Sequence, residues 1–169
     1  LEQARAEQVG KIGENIRISR SEVLCPKKNG IVQSYIHTGN KVAVLISLIS
    51  EKNILLGANE NVLNMAKDFC MHIAATSPIC ISRKEVPSEL VDKEREIAMA
   101  QAVGKPPQAI EKIIQGKLEK YFSTYCFLEQ PFVKNPDQSI NELLQAVSRD
   151  VDCEIRVDKF VRFQVGEEA

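Results

Sequence analysis

The chain has 169 residues, of which 44% are hydrophobic and 27% charged, which is enough for one ordinary globular domain with a substantial core. Its 22 basic and 23 acidic side chains leave a formal charge of -1, which excludes a strong overall attraction to nucleic acid or to an anionic membrane. No apolar run approaches the roughly 18 residues of a membrane-spanning helix, and no signal-peptide pattern opens the chain. These features favour the cytoplasm and argue against a membrane partner.

The first third of the sequence predicts a short helix followed by a β-hairpin. Residues 1–9 are weakly helical, and Gly10 is the expected stop. Residues 31–38 and 41–50 are rich in β-formers and flank Gly39-Asn40, a pair suited to a tight two-residue turn. The second run is apolar at both even and odd positions, which indicates a central strand buried on both faces.

An amphipathic helix is expected next, before Pro78. Its apolar residues recur at helical spacing: Val62, Met65, Ala66, Phe69, Cys70 and Ile73. His72 falls about 90° from the centre of this stripe at 100° per residue. We therefore expect His72 at the boundary of the core.

Two further helices, at about 87–103 and 107–122, are separated by Gly104 and Pro106-Pro107. Apolar stripes predict that they pack as an antiparallel hairpin that projects as an arm; two ordinary core helices are the alternative. The second helix carries its stripe at Ile110, Ile113, Ile114, Lys117, Leu118 and Tyr121. The facing residues of the first are Leu90, Val91, Ile97, Ala98 and Ala102.

The last part predicts an extended segment, a short helix and a strand. Pro131 suggests an edge or loop position for residues 127–133. Ser139 and Glu142 match a capping box ahead of a helical stripe. Apolar residues then alternate on either side of a slip at Asp158-Lys159, which indicates a β-bulge.

Together these elements predict an α+β fold, in which a small antiparallel sheet of about three strands is covered by helices and carries an inserted helical hairpin, or coiled coil. We expect residues 1–20 to be the remnant of a preceding subdomain with its connector. Residues 21–169 would form one subdomain, with the hairpin inserted at about 87–122.

The residues do not predict an enzyme, a metal site or a cofactor. The five cysteines contain no C-x-x-C pair, so free thiols are expected. Cys70 and His72 would point about 200° apart on a helix and would not share a metal ion. With two histidines and no G-x-S-x-G, H-E-x-x-H or phosphate-binding glycine loop, no catalytic constellation is apparent.

An RNA-binding module is a further alternative, based on basic residues between positions 11 and 28. Glu14 and Glu22 interrupt these cations and no aromatic cluster offers stacking. A solvated face explains them better, so direct nucleic-acid binding is not expected.

Four segments, 11–17 (KIGENIR), 35–37 (YIH), 130–133 (QPFV) and 162–167 (RFQVGE), occur in an order that resembles the core of elongation factor Ts. Shorter matches lie between them, at residues 71–75, 86–87, 93–94, 104–106 and 119–120. The resemblance covers essentially the whole chain. It implies the C-terminal part of that core, with a three-stranded sheet and an inserted coiled coil.

The resemblance also implies a partner and a site. The family binds the GTPase elongation factor Tu and promotes GDP release without catalytic residues of its own. Ile12 and Gly13 match a pair that contacts the GTPase, and His37 matches a histidine near the same contact. Gly13 would allow close backbone approach.

Two features of the resemblance limit what is expected of this chain. The family's N-terminal helical module and its Thr-Asp-Phe-Val segment have no counterpart here, so the chain is expected to bind elongation factor Tu as an anchoring half and to exchange nucleotide poorly. A dimerisation scaffold built on the helical hairpin is the main alternative. A bacterial cytoplasmic source fits the resemblance, and an organellar source stays open.

Overall fold

The structure, a computed structural model, describes residues 1–52 and 56–167. Its α-helices are α1 (Glu2–Ile12), α2 (Glu60–Thr76), α3 (Ser88–Gln101), α4 (Pro107–Tyr125) and α5 (Ile140–Asp150). Its strands are β1 (Gly30–Ile36), β2 (Val42–Ser50), β3 (Pro131–Phe132), β4 (Asn135–Ser139) and β5 (Ile155–Gln164). Short 3-10 helices span Leu56–Ala58, Arg83–Glu85 and Phe127–Glu129. The α+β class is confirmed.

A three-stranded antiparallel sheet organises the fold, in the order β1-β2-β5. The prediction that β2 is the central strand is confirmed. The predicted bulge is also present, because Lys159 pairs with Ser47 while Val157 pairs with Leu48. Asp158 therefore lies between two paired residues, and the residues that follow it change faces.

The two faces of β2 differ in burial. Val44, Ile46 and Leu48 are buried against the helices. On the opposite face Ala43 is exposed, Leu45 and Ile49 are half-buried, and Ser47 is buried. The expectation of burial on both faces was therefore wrong at Ala43, and the second face is only partly covered. Helices cover one face of the sheet, and the segment between α1 and β1 crosses part of the other.

The β1–β2 hairpin is confirmed, but its turn is longer than predicted. Residues 37–41 connect the strands, with Gly39 at φ 90° and Asn40 at φ 57°. The His37 N–H donates to the Val42 carbonyl, and the Asn40 N–H donates to the His37 carbonyl. Both residues named by the sequence take the positive φ that a turn requires, although the strands do not close around them alone.

Helix α2 supplies most of the core above the sheet. Asn59 caps its first turn by accepting a hydrogen bond from the Val62 N–H at 3.2 Å. All six residues of the predicted stripe are buried, and they pack with Val44, Ile46, Leu48 and residues of α5 in one cluster. The helix ends at Thr76, before Pro78, as predicted.

His72 is fully buried, so its predicted place at the core boundary was wrong. The segment after α4 covers the imidazole. The centroid of the His72 ring lies 5.8 Å from that of the Phe127 ring and 6.1 Å from that of the Phe132 ring. This segment was expected to be extended, but it forms the 3-10 helix Phe127–Glu129 and the short strand β3, which pairs with β4. A pattern within α2 alone could not show this distant cover.

Helices α3 and α4 form the predicted hairpin, with α4 extending to Tyr125. Its apolar cluster is distinct from the main core and consists of Val86, Ala98, Ile114, Leu118, Phe122 and Cys126. Leu90 and Ile97, assigned to the buried side of α3, are 41% and 44% exposed. The assignment was wrong for these two residues and right for the other three of the predicted set, since Val91 is half-buried and Ala98 and Ala102 are buried.

The remaining two helices show one correction and one confirmation. Helix α1 continues through Gly10 to Ile12, so the predicted stop at Gly10 was wrong; Gly13 ends it instead. Helix α5 begins with the predicted capping box. The Ser139 Oγ accepts the Glu142 N–H at 3.2 Å, and the Glu142 carboxylate accepts the Ser139 N–H at 2.7 Å.

Within residues 1–52 and 56–167, the helices are each too short or too polar to span a lipid bilayer.

Candidate partner-binding surface

The end of α1 presents Ile12 and Gly13 to solvent. Gly13 takes the left-handed conformation, with φ 75° and ψ 8°, and its N–H donates to the Val9 carbonyl at 2.9 Å. Such a C-cap favours glycine because a Cβ is strained at positive φ. The Ile12 side chain is 58% exposed. No other described part of the chain lies within 4 Å of where a Gly13 Cβ would stand.

His37 follows β1 and is also exposed. Its Nδ1 lies 3.0 Å from the Tyr35 hydroxyl, which orients the ring. The two rings are tilted by 54° with centroids 6.0 Å apart. Tyr35 itself packs partly against the core, so one side of the pair is anchored. Sequence reasoning missed Tyr35, although residues two apart on a strand share a face and could have indicated the contact.

Arg20 attaches the segment after α1 to β5, at the edge of the sheet opposite β1. Its guanidinium carbon lies 4.6 Å above the Phe163 ring, and its Nη2 lies 2.7 Å from the Glu167 carboxylate. Arg162 reaches the same carboxylate at 2.8 Å. The hydrogen bond from Arg20 is the main cause that holds the Glu167 pKa below its ordinary value. The arrangement combines a cation–π contact with a shared carboxylate.

A cleft of about 350 Å³ opens where this segment meets the hairpin turn. Residues 17–20 line one side of the cleft. Asn40 and Lys41 of the hairpin turn and the end of β5 line the rest. The Val165 N–H donates to the Lys41 carbonyl at 2.8 Å, which ties the residues after β5 to the turn. The rim carries the cations Arg17, Arg20 and Lys41.

Three of the four segments singled out in the sequence therefore approach one end of the sheet. Arg17 ends the first, the turn residues Asn40 and Lys41 follow the second, and Phe163 belongs to the fourth. Among the described residues, no hydrogen bond or ion pair links Ile12 or Gly13 directly to His37. Arg5 fixes the intervening chain instead, by donating to the Ile16 carbonyl at 3.0 Å. The segment containing Gln130 lies elsewhere, against His72.

These parts of the chain present an exposed isoleucine, a glycine backbone and an oriented imidazole to solvent. The nearby cleft adds Arg17, Lys41 and the carboxylate-paired Arg20. Across the part of the chain that the structure describes, no three His, Cys, Asp or Glu residues converge as a metal site would require.

A family model described as Elongation factor TS matches residues 1–167. The chain belongs to the elongation factor Ts family. The match spans both the hairpin and the surface around Gly13, so the family assignment applies to the whole described fold.

Individual relatives agree with this assignment. The elongation factor Ts of Thioalkalivibrio sulfidiphilus (strain HL-EbGR7) is 40% identical over 169 residues, which is 99% of this chain and 52% of that protein. That of Thermodesulfovibrio yellowstonii is 45% identical over 141 residues, covering 83% of this chain and 70% of the relative. That of Clostridium perfringens (strain SM101 / Type A) is 40% identical over 170 residues, covering 99% and 54%. The chain thus spans about half the length of several relatives.

Proposed function

We propose that this chain acts in translation elongation by binding elongation factor Tu and promoting the release of GDP from it. The observation that carries the proposal is that an elongation factor Ts match over residues 1–167 coincides with solvent exposure of Ile12, Gly13 and His37. These are the residues for which the family resemblance implies a contact with the GTPase. A cytoplasmic location is part of this proposal.

Such a protein accelerates exchange through binding energy. A factor that binds the nucleotide-free GTPase more tightly than the GDP-bound form must weaken GDP binding by the same ratio, because the two equilibria share one thermodynamic cycle. No general acid, base or nucleophile is required. The proposed surface needs only groups that fit one state of the GTPase better than the other.

Each named residue has a distinct task in this proposal. The exposed Ile12 side chain would become buried at the contact. Its burial stabilises the complex in proportion to the apolar area removed from water. Gly13 lets the partner approach the backbone. His37, oriented by Tyr35, supplies one directed hydrogen bond. In this proposal the three residues anchor the chain on elongation factor Tu.

The test is to mix the purified chain with elongation factor Tu carrying fluorescent GDP and to measure complex formation and GDP release separately. Ile12→Ala and His37→Ala should each weaken binding about tenfold, the equivalent of one lost contact of about 1.4 kcal/mol. Ile79→Ala is the matched control, because Ile79 is 55% exposed against 58% for Ile12 and lies outside this surface.

Gly13 needs two substitutions to separate its roles. Gly13→Ala strains the left-handed cap, whereas Gly13→Asn tolerates that conformation and still adds a side chain. If close approach matters, both variants bind weakly while only Gly13→Ala is clearly destabilised.

Binding of the wild-type chain with little acceleration of GDP release would identify an anchoring function. An absence of binding by the wild-type chain would refute the proposal.

A second candidate function is self-association through the helical hairpin. It is favoured by Leu90 and Ile97, which are exposed on α3 and, seven residues apart, lie on the same side of the helix. Leu90→Asp with Ile97→Asp should convert a dimer into a folded monomer in sedimentation analysis. Ile114 is unsuitable for this test, because it is only 6% exposed and its substitution would disrupt the hairpin itself. A monomeric wild-type chain would exclude this function.

A further inference from the structure

Two cysteines meet at the base of the helical hairpin. Cys80 precedes α3 and Cys126 follows α4, and their Sγ atoms lie 3.5 Å apart. Cys126 is fully buried, whereas Cys80 is partly exposed. In the sequence these residues are 46 positions apart, so their contact is a consequence of the hairpin closing on itself.

The backbone holds the two residues side by side. Cys80 and Cys126 form an isolated parallel β-bridge. On one side the Ile79 N–H donates to the Tyr125 carbonyl at 3.0 Å, and on the other the Phe127 N–H donates to the Cys80 carbonyl at 2.9 Å. The Leu128 N–H continues the pattern to the Ile81 carbonyl at 3.0 Å. These backbone hydrogen bonds fix the relative position of the two Cα atoms.

We propose that Cys80 and Cys126 are a redox-active pair that forms a reversible disulfide across the base of the hairpin. A disulfide has an S–S bond of about 2.05 Å, so the two sulfurs at 3.5 Å must approach by about 1.5 Å. Side-chain rotation can supply that distance without separating the two bridged backbone segments. The bond would close a ring from residue 80 to residue 126 that contains both helices of the arm.

The oxidant is a low-molecular-weight organic disulfide. The thiolate of the more accessible Cys80 attacks one sulfur of the organic disulfide, breaks its S–S bond and releases one organic thiolate, which takes up a proton. Cys126 then loses its proton to solvent and attacks the Cys80 Sγ, which releases the second organic thiol. Two protein thiols are oxidised and one organic disulfide is reduced to two thiols.

The surroundings make this pair slow to oxidise at neutral pH. Burial raises the pKa of Cys80, and burial with the neighbouring Cys80 thiol raises the pKa of Cys126 to about 12. The charged or titratable groups that face the pair are Glu85, Glu129, Arg83 and Tyr121. Because the thiolate is the nucleophile, the rate of closure should rise as pH increases from 7 to 9.

The disulfide would fix the arm independently of its existing ionic attachment. At present Arg83 joins the base of the hairpin by ion pairs of 2.8 Å to Glu119 and 2.6 Å to Glu129. Its guanidinium carbon also lies 4.7 Å above the Phe122 ring. The ion pairs are accessible to solvent and weaken as salt concentration rises. A disulfide restricts the conformations of the unfolded chain at any ionic strength.

The full chain should be incubated with oxidised glutathione at pH 8, then unfolded in denaturant and alkylated there so that the buried Cys70 and Cys153 also react, and examined by intact mass and peptide mapping. Of its five cysteines, three should take up the alkylating agent, and the map should join Cys80 to Cys126. The oxidised form should melt about 5 °C or more above the reduced form, through the restricted unfolded chain. Dithiothreitol should restore all five thiols.

Cys80→Ser and Cys25→Ser form the matched pair of variants, since both positions reach solvent. Cys80→Ser should abolish the crosslink and the rise in melting temperature, while Cys25→Ser should retain both. Because Cys80 is not fully buried, its serine variant is expected to fold. Glutathione retained on Cys80, a crosslink between other cysteines, or five alkylated thiols after oxidation would each overturn the proposal.

Discussion

The Nε2 atom of His72 lies 2.8 Å from Oε1 of Gln130, in the buried interior. The other ring nitrogen, Nδ1, accepts the backbone N–H of Val133 at 3.3 Å. Since Nδ1 acts as an acceptor, Nε2 carries the proton of the neutral imidazole and donates a hydrogen bond to Oε1 of Gln130. The Gln130 side chain then donates to the Thr124 carbonyl at 2.6 Å. One neutral imidazole thus joins α2 to the end of α4 and to the chain entering β3.

His72→Phe should destabilise the chain by about 1–3 kcal/mol, since it retains an aromatic ring but leaves the Val133 N–H without its acceptor. It also removes one of the two donors to the Gln130 oxygen, which keeps the Thr76 hydroxyl at 3.0 Å. Urea unfolding would measure the change. His37→Phe is the matched control, because His37 is exposed and surface substitutions usually stay within about 0.5 kcal/mol. Equal effects at the two histidines would contradict the assigned role of His72.

Stability should fall as the pH drops below 6.5. Burial lowers the folded-state pKa of His72 below its ordinary value of 6.5, so in that window the unfolded state binds the proton more readily. The contribution of neutral His72 to the free energy of unfolding is fully present above pH 6.5. It declines as the pH falls toward the folded-state pKa, and below that pKa the free energy of unfolding no longer changes through His72. Unfolding measured from pH 5 to 7.5 should show this slope in the wild type and a smaller one in His72→Phe. Identical slopes would show that another group is responsible.

Ser139→Ala should cost about 1 kcal/mol, because it removes the side-chain acceptor that caps the first turn of α5. The loss would be measured by thermal or urea unfolding. Ser88→Ala is a suitable control: Ser88 is the first residue of α3, which has no side-chain cap hydrogen bond at its start. A loss of comparable size at Ser88 would argue against the capping explanation.

Gly10→Ala and Gly13→Ala should act in opposite directions. Gly10 lies inside α1, and no atom of another described element lies within 4 Å of where an alanine methyl would stand, so alanine should favour the helix by up to about 1 kcal/mol. Gly13 has φ 75°, where an L side chain costs about 1–2 kcal/mol. Helical signal and hydrogen exchange in residues 2–12 would detect both shifts. A more stable α1 in Gly13→Ala would contradict the left-handed cap.

Tyr35→Phe should leave the fold intact but weaken the proposed binding of elongation factor Tu about threefold, since it removes the hydroxyl that orients His37 at 3.0 Å. The effect should disappear in a His37→Ala background, which makes a double-mutant cycle the decisive measurement. Additive losses would mean that Tyr35 contributes to binding without acting through His37.

Local patterns predicted the elements whose causes lie within a few residues. The capping box needed only Ser139 and Glu142, and the bulge in β5 followed from the change of alternation at Asp158. The candidate site was predictable only as separate residues. Neither the Tyr35 contact to His37 nor the cation–π contact of Arg20 with Phe163 was inferred, and the latter joins positions far apart in the sequence.

The α+β class, the β1–β2 hairpin, the α3–α4 hairpin and the family were predictable from the residues, because hydrophobic period, turn residues and motif order are properties of the chain read locally. The packed chain alone shows the burial of His72, the partial exposure of the outer face of β2 and the contact of Cys80 with Cys126. Each depends on which distant segment covers a given residue. That choice is made when the whole chain packs, and no local period records it.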